Sequence, residues 1–130
     1  MSSPIETKRV LFVDDERVIA DTLAIIFSNQ GYVTRAVYSA EQALELMSDW
    51  LPDLAIIDVL LPGMNGIDLA IRLKAEYPNC RLSLFSGQAS TSDLLELARQ
   101  NGHSFEILAK PVAPGEFLAY ASHLLQSKLN

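Results

Sequence analysis

Five short apolar segments alternate with five segments whose apolar residues recur at helical spacing, and this alternation constrains the fold more than any other feature. The strand-like segments are residues 10–13, 32–38, 54–57, 81–85 and 105–109. The helix-like segments are residues 18–27, 39 to about 49, the stretch after Gly66 to about 77, 92–100, and about 114–128. Because a helix separates each strand from the next, we predict right-handed crossovers and an α/β fold with one parallel sheet between two helical layers.

Reactive side chains follow most of the predicted strands. In an open parallel sheet, ligands bind beyond the carboxyl ends of the strands. The groups found there are Asp14 and Asp15 after the first strand, Asp58 after the third, Ser86 after the fourth and Lys110 after the fifth. We therefore expect these groups to meet at one edge of the sheet and to form a single site.

Three carboxylates at one edge repel each other. Two unit charges ~4 Å apart interact by about 4 kcal/mol at an effective dielectric constant near 20. A hard divalent cation offsets this repulsion best, and an all-oxygen ligand set suits Mg²⁺. The two positive charges of Mg²⁺ and the one of Lys110 together balance the three negative charges of Asp14, Asp15 and Asp58. The sequence therefore predicts a magnesium site that can receive an incoming anion.

One of these carboxylates can also act as a nucleophile, since aspartate forms aspartyl-phosphates in several enzyme classes. Phosphoryl transfer requires stabilisation of charge on the equatorial oxygens more than acid–base chemistry. The Lys110 ammonium, the Ser86 hydroxyl and the Gly87 backbone N–H can supply that stabilisation together with the metal. Asp58 follows the third of the five predicted strands and precedes a loop containing glycine and proline. We therefore predict that Asp58 accepts the phosphoryl group.

Each of these residues also has a plain structural interpretation. Asp14 and Asp15 can cap the helix that follows them, because carboxylates favour a helix N-terminus. Asp58 can form a turn, Ser86 can cap the next segment, and Lys110 can be a surface lysine after an edge strand.

Four motifs in order give the sequence a family resemblance. They are VLFVDDE with the acidic pair, LAIIDVLLPGMNG with Asp58, LSLFSG with Ser86, and ILAKP with Lys110 and Pro111. Over essentially its whole length, the chain resembles the receiver domain of two-component response regulators, and in particular that of the chemotaxis regulators. The resemblance implies a doubly wound (βα)₅ fold of flavodoxin-like strand order 2-1-3-4-5. It also implies a single receiver domain over residues 1–130, with a core of about 8–128 and no output domain in this chain.

The resemblance implies a role for each acidic residue. A histidine kinase or a histidine phosphotransfer protein is expected to donate a phosphoryl group to Asp58. Asp15 is expected to ligate Mg²⁺ directly and Asp14 through water, with Asp58 and the backbone carbonyl of Leu60 as further ligands. The domain is expected to catalyse only its own phosphorylation and dephosphorylation, and so not to be an enzyme acting on other substrates.

The resemblance also implies how the domain switches. Lys110 is expected to contact the phosphoryl group, Ser86 to move toward it, and the peptide bond before Pro111 to be cis. The surface formed by the fourth helix, the fifth strand and the last helix then changes and is recognised by an unknown downstream protein, or by a second copy of the chain.

Two positions depart from the family pattern. Ile107 stands where the family often has a tyrosine or phenylalanine that changes rotamer, and a branched aliphatic side chain cannot replace a swinging ring. Leu60 lies two residues after Asp58, at a position that flanks the path of the attacking water. We expect an apolar residue there to slow hydrolysis of the phosphoryl group.

Three other functions are compatible with this edge chemistry. A Mg²⁺-dependent aspartyl-phosphate phosphatase or phosphotransferase is disfavoured, since its best-known class needs an aspartate where Leu60 stands. A nucleotide- or flavin-binding domain is also disfavoured, because the sequence has no G-x-G-x-x-G or P-loop pattern after the first strand. A docking module that works without phosphorylation remains an alternative.

Composition limits the partners. A net charge of -6 disfavours binding to nucleic-acid backbones, and no apolar stretch reaches the roughly 20 residues that span a bilayer. Cys80 is the single cysteine, which excludes an internal disulfide and fits a reducing compartment. We therefore expect a cytoplasmic protein with protein partners, without contact to nucleic acid or membrane.

Overall fold

One parallel sheet of five strands organises the fold. The computed structural model describes residues 7–87, 91–109 and 113–126. The strands are β1 Arg9–Val13, β2 Val33–Val37, β3 Leu54–Asp58, β4 Arg81–Ser86 and β5 Glu106–Ala109. The helices are α1 Arg17–Ser28, α2 Ala40–Met47, α3 Gly66–Glu76, α4 Thr91–Gln100 and α5 Pro114–Gln126. The strand order is β2-β1-β3-β4-β5 with every neighbouring pair parallel, which confirms the predicted fold class and order.

The ends of several elements differ from the sequence-based bounds. β2 excludes Tyr32, whose N–H donates to Phe27 in the last turn of α1, and Tyr38, whose N–H donates to the side chain of Gln42. β3 and β4 each extend by one residue, to Asp58 and Ser86.

Other elements are shorter or shifted. β5 begins after Phe105, α2 ends before residue 48, α3 ends before Tyr77, and α4 begins one residue earlier, at Thr91. The predicted end of the last helix near residue 128 lies outside the described residues.

The sheet separates two apolar cores. Leu11 and Val13 of β1 face α2, α3 and α4, whereas Val10 and Phe12 of the same strand face α1 and α5. This division follows from the two-residue period of a strand, which sends successive side chains to opposite faces. Both faces of β1 and β3 are covered, so these central strands are continuous apolar runs in the sequence.

Phenylalanine rings fill the core on the α1 and α5 face. The Phe117 ring of α5 packs edge-on against Phe85 of β4, with centroids 5.1 Å apart, and contacts Phe12 of β1 at 6.3 Å. Phe27 of α1 packs against Phe12 at 5.0 Å. Such edge-to-face pairs contribute roughly 0.5–1.5 kcal/mol each beyond their buried area, and they hold both helices on the sheet.

Helix caps fix the elements around the carboxyl edge. Ser39 Oγ accepts from the Gln42 N–H at 3.1 Å, and Gln42 Oε1 accepts from the Tyr38 N–H at 2.9 Å, so these two side chains cap the start of α2. Asn65 Oδ1 accepts from the Asp68 N–H at 2.9 Å and caps α3.

Candidate metal centre at the carboxyl edge of the sheet

Three carboxylates converge where β1 and β3 end. One oxygen each from Asp14, Asp15 and Asp58 lies within 4.8 Å of the others. Asp14 and Asp58 are buried, at 3% and 7% exposure, while Asp15 is exposed. The sheet therefore brings together the three acidic residues predicted from the sequence, with one of them open to solvent.

The strand register explains this convergence. Val13 of β1 and Ile57 of β3 are register partners, so Asp14, the residue after β1, and Asp58, the last residue of β3, reach the same edge of the sheet. The Asp14 N–H continues the ladder by donating to Val37 of β2 at 3.1 Å. Asp58 is still part of β3 and pairs with Phe85 of β4.

Local hydrogen bonds orient the two buried carboxylates. Asp14 Oδ1 accepts from the Glu16 N–H at 2.9 Å, and Asp58 Oδ1 accepts from the Leu60 N–H at 3.4 Å. Both bonds join an aspartate to the amide two residues later, a turn that favours this residue type. Each side chain is thereby held toward the common edge.

The capping interpretation of the acidic pair is only partly correct. The N-cap residue of α1 is Glu16, and no side-chain cap bond is made there. Asp14 binds the amide of that same residue, so it stabilises the turn into α1 while it belongs to the carboxylate cluster.

The donor set suits a hard cation. All three side chains offer carboxylate oxygens, two of them are buried, and the repulsion between close like charges in a partly desolvated site is strong. Oxygen ligands of this type suit Mg²⁺, which keeps several of its waters and thus matches a site with an exposed side. The cluster can hold a metal ion of this class.

The remaining predicted site residues lie on β4 and β5. Ser86 is the half-buried last residue of β4, one position beyond Phe85, the register partner of Asp58, and Gly87 follows it exposed. Ile107 on β5 is 47% exposed and pairs with Leu84.

Two predicted site residues lie outside the described residues: Lys110, which is expected to contact the phosphoryl group, and Pro111, which is expected to follow a cis peptide bond.

Gly66 is a site-supporting residue whose role the sequence did not reveal. A Cβ at this position would lie 2.0 Å from the Asp58 carbonyl oxygen and 2.9 Å from Val59 Cα. The start of α3 therefore packs directly against the backbone at the end of β3. In the sequence this glycine is indistinguishable from loop punctuation, because only the fold brings α3 back to Asp58.

Comparison with known families identifies the chain. The family model for the response regulator receiver domain matches residues 10–122. The chain belongs to this receiver domain family. The receiver domain is a signalling domain of two-component systems, and its histidine kinase partner is implied by the family.

Curated relatives are similar to this receiver domain over part of their length. The DNA-binding response regulator MtrA of Mycolicibacterium paratuberculosis is 32% identical over 112 residues, which cover 86% of this chain and 48% of MtrA. The regulatory protein VanR of Enterococcus faecium is 32% identical over 113 residues, covering 85% and 47%. The chain spans about half the length of these relatives.

Solved receiver structures share the fold. A CheY-like receiver domain protein from Methanospirillum hungatei JF-1 superimposes with a TM-score of 0.82 at 27% identity, over 92% of this chain and 94% of that one. The receiver domain of NtrX from Brucella abortus superimposes with a TM-score of 0.79 at 28% identity, over 92% of this chain and 99% of that one.

Within the described ranges, no helix has the length and apolarity that a bilayer crossing requires.

Proposed function

We propose that this receiver domain accepts a phosphoryl group on Asp58 from a histidine kinase or a histidine phosphotransfer protein. The observation that carries the proposal is the convergence of Asp14, Asp15 and Asp58 at one edge of the sheet, with two of the three carboxylates buried. Asp58 is the acceptor because it ends the central strand β3 and neighbours both β1 and β4.

The transfer is a displacement at phosphorus. A carboxylate oxygen of Asp58 attacks the phosphorus of a phosphohistidine, the P–N bond breaks, and the electron pair leaves with the imidazole nitrogen, which takes up a proton. The product is an aspartyl-phosphate. Ser86 and the Gly87 N–H lie next to the acceptor strand and stabilise the phosphoryl oxygens, and Lys110 is assigned the same task.

The proposed ligands of Mg²⁺ are the carboxylates of Asp14, Asp15 and Asp58 and the backbone carbonyl of Leu60. When bound, this ion offsets the repulsion among the carboxylates and stabilises negative charge on the phosphoryl group. Asp15 is the proposed direct ligand, since it is the exposed member of the cluster, and Asp14 acts through water.

Exposed apolar side chains border the approach to the site. Val18, in the first turn of α1, is 79% exposed, and Leu60, two residues after Asp58, is 42% exposed. The phosphodonor protein covers these side chains when its histidine reaches Asp58. Their exposure supports a protein, rather than a small molecule, as the usual donor.

The output surface comprises α4, β5 and α5. Leu97 of α4 is 57% exposed, Leu94 is 38% exposed, and Ile107 of β5 is 47% exposed. These side chains supply apolar area for a downstream protein or for a second phosphorylated copy of the chain. Because Ile107 carries no ring, switching of this surface proceeds without an aromatic rotamer change at that position.

Labelling with acetyl phosphate and Mg²⁺ tests the proposal. We expect one equivalent of phosphoryl group per chain, located on Asp58 by mass spectrometry and lost in Asp58→Asn. Multiple turnover of phosphomonoesters would instead indicate a phosphatase. An absence of label on Asp58, with normal signalling by Asp58→Asn, would indicate a docking module that works without phosphorylation.

A further inference from the structure

We propose that Glu41 of α2 is a positioning residue for the acceptor site, because it holds the segment that follows Asp58. This segment, residues 59–65, connects β3 to α3 and is named here the β3–α3 loop. The inference rests on the proposed function, since the loop contains the Leu60 carbonyl assigned to Mg²⁺. Glu41 does not itself belong to the carboxylate cluster.

The contact between Glu41 and the loop is direct. Glu41 Oε2 accepts a hydrogen bond from the Met64 N–H at 3.4 Å. The same oxygen lies 3.2 Å from where a Cβ would stand on Gly63, which has a φ of +73°. The bare glycine therefore leaves room for the carboxylate to approach the loop backbone, and the left-handed turn presents the next amide to it.

The ends of the loop are held by other means. The Val59 N–H donates to the Phe85 carbonyl at 3.1 Å, and the Gly66 N–H donates back to Val59 at 2.9 Å. Toward the α3 end of the loop, within the described part of the chain, Glu41 of α2 supplies the one hydrogen bond that comes from a helix side chain. It thus adds an attachment at Gly63 and Met64, which limits the movement of the preceding residues, Leu60 among them.

Glu41 is well suited to hold this stretch, because the start of α2 is itself rigid. The Ser39 and Gln42 side chains cap the helix, and Ala40 and Ala43 on either side of Glu41 are fully buried. The carboxylate therefore projects from a fixed backbone. A plainer interpretation is that Glu41 only stabilises the positive end of the helix dipole, and the experiment must separate the two.

Three variants separate them. Glu41→Ala removes the acceptor and the charge, whereas Glu41→Gln removes the charge and keeps an oxygen that can accept from Met64. Glu45→Ala is the matched control, since Glu45 is an exposed glutamate one turn further along the same helix. The measurements are amide hydrogen exchange at Met64 without metal, Mg²⁺ affinity from thermal melts or calorimetry, and the rate of labelling by acetyl phosphate.

The expected pattern is specific to positioning. Glu41→Ala should lose exchange protection at Met64 and weaken Mg²⁺ binding about fivefold, less than the roughly 10–100-fold typical of groups that contact a metal ligand directly. Raising the Mg²⁺ concentration should recover its labelling rate. Glu41→Gln should restore both protection and affinity, and Glu45→Ala should match wild type.

Two results would overturn the inference: wild-type Mg²⁺ affinity in Glu41→Ala, or equal losses in Glu41→Gln and Glu41→Ala, which would indicate a charge effect. Failure of the proposed function appears differently. In that case the wild-type chain itself binds no Mg²⁺ and takes no label, whatever the state of the Met64 amide.

Discussion

The Tyr120 hydroxyl of α5 lies 2.9 Å from the Ser83 hydroxyl of β4, and Ser83 is fully buried. Ser83 lies on the same face of β4 as Phe85, whose ring packs against Phe117 of α5. A polar bond and a ring pair therefore join α5 to the strand that ends at Ser86. This junction links the site edge to the proposed output surface without using Ile107.

The two hydroxyls should differ in their contribution to stability. Tyr120→Phe leaves the buried Ser83 hydroxyl with the Glu106 carbonyl at 3.5 Å as its nearest alternative acceptor, so we expect a loss of about 1–2 kcal/mol. Ser83→Ala leaves the Tyr120 hydroxyl on a partly exposed side chain that can turn to water, and should cost about 0.5 kcal/mol. Urea unfolding of both variants and of the double variant measures the difference.

Titration of Tyr120 gives an independent check on the same bond. Burial raises the pKa of Tyr120, the hydrogen bond with Ser83 lowers it, and the charge of Glu106 raises it again. Removal of the Ser83 hydroxyl should therefore raise the pKa of Tyr120 further, as followed by the absorbance of tyrosinate at high pH. An unchanged titration in Ser83→Ala would contradict the bond.

A side chain at position 66 should disrupt the end of β3 at Asp58. In Gly66→Ala the new Cβ meets the Asp58 carbonyl oxygen at 2.0 Å, and backbone cannot move aside as a flexible side chain can. We expect a loss of about 3 kcal/mol in the free energy of unfolding. Gly115→Ala in α5 is the control, since a Cβ there meets nothing within 4 Å, and it should stabilise by about 0.5–1 kcal/mol. Equal stability of the two variants would contradict the close approach.

Much of the fold and the acidic cluster could be predicted because they depend on local patterns. The apolar run that ends at Asp58 is continuous, as expected for a strand covered on both faces. Once the strands are parallel, residues that follow them share an edge, which is why Asp14 and Asp58 meet. Neither step requires knowledge of how distant side chains pack.

Contacts between distant side chains could not be predicted in the same way. Ser83 and Tyr120 are 37 residues apart, and no periodicity marks two hydroxyls that meet across a helix–sheet interface. The requirement for Gly66 depends on where α3 returns to the sheet, and the contact from Glu41 to Met64 depends on the direction of α2. These relationships arise from tertiary packing, which a single sequence leaves open.

Cys80 should be chemically inert in the folded protein. Burial raises the pKa of its thiol to about 12, with a further increase from the charge of Asp53 and a decrease from a hydrogen bond with the Ala55 backbone. At pH 8 only about one thiol in ten thousand is then ionised, and the thiolate is the reactive form. A thiol reagent should modify Cys80 slowly in buffer and rapidly in urea.

The same shift predicts a pH dependence of stability. The neutral thiol is favoured in the folded state, so its contribution is complete below the unfolded pKa, near 9, and is lost as the pH rises toward 12. Wild type should therefore lose more stability than Cys80→Ala over that interval. Rapid modification of the native thiol at pH 8 would contradict both expectations.

Leu60→Asn should shorten the lifetime of the phosphoryl group on Asp58. An amide at this exposed position can orient the attacking water, and one added hydrogen bond of about 1 kcal/mol corresponds to about a fivefold faster hydrolysis. Loss of label after removal of the donor measures the lifetime. Leu51→Asn, at another exposed leucine before β3, is the control and should leave the lifetime unchanged. An identical lifetime in Leu60→Asn and wild type would reject the role of Leu60.

Asp15→Asn should stabilise the metal-free protein and abolish its stabilisation by Mg²⁺. Removal of one charge relieves repulsion within the cluster, and it also removes the one exposed carboxylate of the proposed metal site. Wild type at a Mg²⁺ concentration 100 times the Kd should gain about 2.7 kcal/mol, and the variant should gain none. Thermal melts with and without MgCl₂ measure this, with Glu16→Gln as the control, since Glu16 is exposed, adjacent and outside the cluster. A variant that still gains stability from Mg²⁺ excludes Asp15 as an essential ligand, whereas a loss shared by Glu16→Gln indicates only the general charge of the edge.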